Sequence, residues 1–396
     1  MPNRIPVAVL GATGAVGQRF VQLLDGHPWF EVAALSASEA RVGQRYGDAC
    51  RWVVGGEMPA PVRDMVLRPA TAEALGCPLA FSALPAAVAG PIEEELARAG
   101  VAVSSNTATH RMDADVPILI PEVNAGHLAL VEVQRRRRGW PGLIVTASNC
   151  SSAPVTMVLR PLFDAFGVRC VHVVTLQALS GAGYPGLPSL DILDNILPFI
   201  PGEEAKLERE PLKMLGRLAG DRVEPAAIAI SAQCNRVAVA DGHTVCLSIG
   251  LERRATPGEV AEALRSFRGE VAGLGLPSAP EPPIVVRSEE DRPQPRRDRD
   301  AGAGMAVTVG RIQPCPVHDI RLVALAHNTV RGAAGGAILN AELLVAKGLV
   351  QADVPPVIAS AAKQSPIAPE RPSVIASEAK QSPTAQEPGM GIAPPP

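Results

Sequence analysis

The sequence predicts a doubly wound α/β domain with a parallel sheet, followed by an α+β domain whose sheet is mostly antiparallel. Three observations carry this. Short apolar runs alternate with helical stretches through residue 149. A Gly-rich turn follows the first of those runs. Beyond residue 150 the alternation stops, and helical and strand-like segments mix.

Taken in order, Ile5-Pro6-Val7-Ala8-Val9-Leu10 reads as a buried strand, residues 15–24 as a helix and 31–35 as the second strand. Further strands are expected at 79–82, 102–104 and 143–145. In the second half, helices are expected at 155–166, 189–196, 203–218 and 257–267. Strands are expected there at 170–178, 228–231, 245–251, 306–311 and 320–326, with one helix over 333–350. Taken alone, the charged stretch 287–300 could be read as a disordered linker. The domain division expected is 1–149 plus 328–350 for the first unit and 150–327 for the second. Residues 351–396 hold a near-duplicate, Val357-Ile358-Ala359-Ser360 and Val374-Ile375-Ala376-Ser377, in Pro-rich surroundings. Two copies are too few for a stacked repeat fold, so this stretch is expected to be a disordered tail.

Composition excludes several classes. With 396 residues, 47% hydrophobic and 19% charged, the chain has the make-up of a globular protein holding two cores. A net charge of −3 gives no basis for a nucleic-acid partner. The run Arg135-Arg136-Arg137-Arg138 is expected to be a solvated helix end or loop. No window approaches the ~20 apolar residues of a membrane span, and no secretory signal is visible. The seven cysteines are scattered without a CxxC pair, which argues against a disulfide framework or a zinc site and for a cytoplasmic protein. Cys170 and Cys246 are expected to be inert core residues, and Cys315, between two prolines, to sit in a loop.

Gly11-Ala12-Thr13-Gly14-Ala15-Val16-Gly17 follows the first strand and opens a helix. Small residues there let backbone approach a pyrophosphate, whose charge the helix N-terminus favours. This is a Rossmann-type nucleotide turn. At the tip of the second strand, Ser36 and Ser38 with Arg41 nearby suit a 2′-phosphate and therefore NADP, whereas Glu39 could take a ribose hydroxyl.

Cys150 stands in Ser148-Asn149-Cys150-Ser151-Ser152-Ala153-Pro154, between a strand and a Ser/Pro-led helix. A sulfur at a helix N-terminus is expected to favour thiolate. A thiolate beside a nicotinamide is equipment for acyl transfer through a thioester. Gly181 to Gly186 form a Gly-rich loop that is either a plain turn or a segment packed on a ligand. Asn235-Arg236-Val237 and Gly242-His243-Thr244 bracket a turn, placing a cation and an imidazole seven residues apart.

Together these segments resemble the aspartate-β-semialdehyde dehydrogenase family, in its archaeal and fungal branch, over residues 5–350. Val116-Pro117 to Asn124, Arg292-Pro293-Gln294-Pro295-Arg296 and His327-Asn328-Thr329-Val330-Arg331-Gly332 belong to the same pattern, with Ser152 where Thr is common, and the match at 292–296 implies that 287–300 is an ordered loop of the second domain. The resemblance implies Cys150 as nucleophile, Gln177 as a residue orienting the acyl intermediate and His243 as general acid/base. It implies Arg236 for the substrate α-carboxylate, Glu203 for its ammonium, and Lys206 and Arg111 for its phosphate. The implied NADP set is Gly11, Thr13, Gly14, Ala15, Val16, Gly17, Ser36, Ser38, Ser82, Leu84, Gly181 and Asn328. The implied reaction converts L-aspartyl-4-phosphate and NADPH to L-aspartate-4-semialdehyde, NADP and phosphate. That step serves biosynthesis of lysine (through diaminopimelate), threonine, methionine and isoleucine. A homodimer or homotetramer is implied as well. The nearest competing activity on this scaffold, malonyl-CoA reduction, has no use for an ammonium partner such as Glu203.

Overall fold

The computed structural model describes residues 4–351. The duplicated Pro-rich stretch expected over 351–396 lies, apart from Gln351, outside the described residues. Strands β1 (Ile5–Leu10), β2 (Phe30–Leu35), β3 (Leu79–Ser82), β4 (Ala102–Ser105), β5 (Ile118–Leu119) and β6 (Leu143–Ala147) form one sheet. Their order is β2–β1–β3–β4–β6–β5, with every pairing parallel. Strands β3, β4 and β6 are buried throughout, which is why they read as continuous apolar runs and not as alternating ones. Because all six run the same way, Gly11 and the Cys150 segment follow strand C-termini at the edge where Ser82 ends β3. The helix Gly335–Ala346 packs on this sheet: Ser104 Oγ donates to the Ala337 carbonyl at 2.8 Å, and Glu342 accepts from His27 Nε2 at 3.0 Å.

The second sheet is built from β7 (Val168–Gln177), β10 (Ala229–Arg236), β11 (His243–Leu251), β12 (Ile284–Val286), β13 (Val307–Pro314) and β14 (Ile320–Ala326). Its order is β10–β7–β11–β14–β13–β12. The β7–β11, β11–β14 and β14–β13 pairings are antiparallel, while β10 runs parallel to β7 and β12 to β13. The sheet is thus mixed, with antiparallel pairs in the majority. The helix Ser152–Phe166 lies in its core, with residues 152–159 buried without interruption.

Several elements differ from expectation. The helix expected to 218 ends at Met214, and a short hairpin follows, β8 (Arg217–Ala219) with β9 (Arg222–Glu224). Gly216 packs so closely on the Glu224 carbonyl that a Cβ would lie 2.3 Å from it. The helix expected over 189–196 is one turn, Ser189–Ile192, because Asp194 takes a positive φ of 56° and Leu197 pairs with Arg236 through two backbone bonds. The helix expected from 333 is preceded by a wide turn at Val330–Ala334, where Ala333 leaves helical geometry. Such turns recur at functional sites. Arg138 is not simply solvated: it binds Asp115 through Nε and Nη2, both at 2.6 Å, and Asp113 at 2.8 Å. Cys170 and Cys246 are half-buried on the sheet, not core residues. Asp298, in the 287–300 stretch, is fully buried and receives Arg292 and the Gln294 N–H.

Candidate active site

Strand register assembles the site. Gln177 ends β7 directly beside Arg236, which ends the parallel β10. The antiparallel β11 begins at the same edge with His243. All three side chains are buried. The Ala178 peptide holds two of them: its N–H donates to His243 Nδ1 at 3.0 Å, and its carbonyl accepts from Arg236 Nη1 at 2.8 Å. Because an amide N–H only donates, Nδ1 is an acceptor, and the neutral ring carries its hydrogen on Nε2. That Nε2 is buried and has no hydrogen-bond partner among the described residues. A second proton would break the Ala178 bond. Burial, with Arg236 and His327 nearby, lowers the His243 pKa to about 3.

Cys150 follows β6 and precedes the helix Ser152–Phe166, as the sequence predicts. Asn149 Oδ1 accepts from the Ser151 and Ser152 N–H groups at 2.9 and 3.2 Å. Those N–H groups are therefore engaged and cannot serve the sulfur. Burial and the Glu203 carboxylate push the Cys150 thiol up to about 12, against Arg111, Arg236 and Lys206. The thiolate expected from helix-end placement alone is thus not favoured in this arrangement. Iodoacetamide alkylation of Cys150, followed by mass spectrometry, is expected to rise about tenfold per pH unit from about pH 7 to 10. A plateau below pH 8 would show a thiolate already formed. On the other side of Cys150 stands Gly332; a Cβ there would lie 2.7 Å from the Cys150 Cα and Cβ, so no larger residue fits.

Glu203 is 7% exposed and joins the remaining groups. It accepts from Lys206 Nζ at 2.8 Å, from Asn149 Nδ2 at 3.0 and 3.1 Å, and from Gln177 Nε2 at 3.3 Å. Burial pushes its carboxyl up, but these donors outweigh burial and hold it below the usual range. Arg111 reaches the same region from a different segment and bonds Glu210 at 3.0 Å. Cys150, Gln177, Glu203, Lys206, Arg236, His243 and Arg111 therefore form one cluster.

The nucleotide turn is shaped for close approach. Gly11 has φ 69°, and a Cβ on it would lie 2.7 Å from the Ala83 carbonyl; one on Gly17 would lie 2.2 Å from the Gly11 carbonyl. The helix Ala15–Leu24 has Gly14 as N-cap and no side-chain cap, leaving first-turn N–H groups at Ala15 and Val16 for a ligand. Ser36 Oγ is buried beside this turn without a partner among the described residues, while Thr13 and Leu84 are half-buried and Ser38 is exposed. These features fit a pyrophosphate and a nearby sugar phosphate. Asn328 ties the turn before His243 to the Gly-rich loop, accepting from Gly242 N–H and donating to Ser180 Oγ, both at 2.8 Å, next to Gly181. A Cβ on Gly181 would lie 2.6 Å from Arg236 Nη1, so that loop is packed on the site and is not a free turn.

Sequence reasoning missed several supports. Tyr46 Oη donates to the Ala12 carbonyl at 2.9 Å, and Gln18 bridges Thr13 and Arg51 carbonyls, bracing the nucleotide turn. Their partners are backbone atoms, so residue identity gave no signal. Glu210 and Lys213 were legible in principle, since positions 203, 206, 210 and 213 share one helix face.

Comparison with known proteins agrees with this geometry. Residues 6–131 match the family described as semialdehyde dehydrogenase, NAD binding domain, and residues 159–331 the semialdehyde dehydrogenase dimerisation domain. The aspartate-semialdehyde dehydrogenase of Archaeoglobus fulgidus is 49% identical over 347 residues, 88% of this chain and 100% of that protein. That of Saccharomyces cerevisiae is 43% identical over 365 residues, covering 88% and 100%. The crystal structure of the Candida albicans enzyme with NADP superposes with a TM-score of 0.81 at 42% identity, covering 88% of this chain and 100% of that one. On the cluster around Cys150, the two sheets and these relatives, the chain belongs to the aspartate-semialdehyde dehydrogenase family.

Proposed function

We propose that this protein catalyses the NADPH-dependent reductive dephosphorylation of L-aspartyl-4-phosphate to L-aspartate-4-semialdehyde through a thioester on Cys150. The observation that carries the substrate is the pair of buried opposite charges near the sulfur, Arg236 and Glu203. A guanidinium suits an α-carboxylate and a carboxylate suits an α-ammonium, so the pair selects an amino acid over a coenzyme A ester. Lys206 and Arg111 supply the cations for the phosphate.

In this reading the Cys150 sulfur attacks the acyl carbon, the acyl C–O bond breaks, and phosphate leaves toward Arg111 and Lys206 carrying the thiol's proton. Gln177, held by Thr175 and Glu203, orients the acyl group. NADPH, when bound by the Gly11–Gly17 turn, Ser36, Ser38, Ser82, Leu84, Gly181 and Asn328, supplies a hydride. His243, with its hydrogen on Nε2, donates to the thiohemiacetal alkoxide; as the aldehyde C=O re-forms, the C–S bond breaks and the sulfur leaves as a thiolate accepting from that same N–H, to be reprotonated from solvent. The unit 1–149 with 328–350 would carry NADP and 150–327 the chemistry, in a cytoplasmic homodimer or homotetramer.

The test runs the reaction in reverse. Purified protein given L-aspartate-4-semialdehyde, NADP and inorganic phosphate is expected to form NADPH, and omitting phosphate is expected to stop turnover after the acyl-enzyme forms. Folded protein that binds NADP yet shows no such activity would remove this substrate and move malonyl-CoA forward.

A further inference from the structure

One buried carboxylate touches two functional segments that are remote in sequence. Glu210, on the helix Glu203–Met214, is 2% exposed. Its Oε1 accepts from Arg111 Nη1 at 3.0 Å, and its Oε2 accepts from the Asn149 backbone N–H, beside Cys150, at 2.7 Å. Three residues further along, the buried Lys213 donates from Nζ to the carbonyls of Arg111, Asp113 and Val116 at 2.6, 2.7 and 2.7 Å. An ammonium has three N–H donors, so Lys213 has none left for a substrate. Arg111 is anchored twice more, through Nε to the Ala147 carbonyl at 2.9 Å and Nη2 to the Asn106 carbonyl at 3.0 Å. Three of its five N–H groups are so committed, leaving one on each terminal nitrogen for an anion.

We propose that Glu210 is a positioning residue that fixes the Arg111 guanidinium relative to the Cys150 turn, with Lys213 anchoring the segment that carries Arg111. This rests on reading Arg111 as a phosphate-side cation. A buried ion pair alone is weak evidence for anything beyond packing. What singles out Glu210 is the division of its two oxygens, one to the cation and one to the nucleophile's own turn. A carboxamide of the same shape offers one acceptor and one donor, so it cannot accept from both partners. Glu210→Gln must therefore turn its NH2 against one of the two N–H groups, and it also leaves Arg111 without its counter-charge. A reacting geometry spoiled in this way affects the phosphate side and spares the nucleotide turn.

Protection of Cys150 from iodoacetamide by inorganic phosphate, followed by mass spectrometry, reads anion binding beside the sulfur without requiring turnover. Glu210→Gln is expected to raise the half-protecting phosphate concentration, and KM for phosphate, about tenfold while leaving KM for NADP unchanged. In an Arg111→Met background the same change is expected to add less than about twofold, because Glu210 acts through Arg111. Should Glu210→Gln fail to fold, Glu210→Asp is read in the same way, since it keeps the charge but is one methylene too short to hold both partners. An unchanged half-protecting concentration, or an equal loss with and without Arg111, would overturn the proposal, as would absence of phosphate protection in the wild type. If phosphate protects the wild type but no phosphate-dependent aldehyde oxidation occurs, the proposed function falls, and the protection measurements alone judge Glu210.

Discussion

Replacing Cys150 by serine is expected to lower phosphate-dependent turnover by on the order of 10⁴-fold or more, with NADP affinity unchanged. The expectation follows from the surroundings of the sulfur. Glu203 and burial already push even the thiol up to about 12, and a hydroxyl starts from a far weaker acidity in the same place. Neither His243 nor Lys206 serves as a base for the hydroxyl: His243 Nδ1 accepts from Ala178 while Nε2 carries the hydrogen, and Lys206 is an ammonium paired with Glu203. Serine is slightly smaller than cysteine, so the tight contact with Gly332 tolerates it and the fold is expected to persist. The measurements are steady-state NADPH formation and a fluorescence titration with NADP. Retention of even one-hundredth of the wild-type rate would remove the thioester route.

Arg331→Met is expected to destabilise the protein by about 3–5 kcal/mol, seen as a lower urea midpoint. Arg331 and Glu122 are 3% and 2% exposed and meet through two parallel bonds of 2.7 Å. Removing one partner leaves a carboxylate in protein without a counter-ion. The double change Arg331→Met with Glu122→Leu is expected to recover most of the loss, since no charge is then stranded. A single variant as stable as the wild type would mean that water reaches Glu122. Arg331 adjoins Gly332, which packs on Cys150, so the single variant is expected to lose activity as well.

The sequence was most informative where one local rule decided the outcome. The first strand, nucleotide turn and first helix were legible because a buried apolar run, small residues and helical spacing agree over residues 5–24. Cys150 was legible as a nucleophile candidate and Arg236 and His243 only as a cation and an imidazole bracketing a turn; strand register places these last two at one sheet edge. The misses share a different cause. The wide turn at Val330–Ala334 exists to seat Gly332 and to aim Arg331 at Glu122, a partner 209 residues away. Arg138 was hidden in a basic run because its aspartates, Asp113 and Asp115, come from another segment. The raised Cys150 thiol escaped notice because helix position was weighed without the nearby Glu203 or the Asn149 cap. Long-range partners, not local propensity, set each of these.

The helix Glu203–Met214 behaves as a graduated rod. Substrate-side and anchoring groups sit at 203, 206, 210 and 213 on a single face, so their spacing along the site is set by the pitch of one helix. One residue inserted between 206 and 210 would rotate the second pair by about 100° away from the first. Single substitutions can retune one mark on this rod. An insertion or deletion within it would detach the Glu203 end from the end that holds Arg111 in one step. Length variation among working descendants of this chain should therefore collect outside residues 203–214, in segments such as the hairpin that follows.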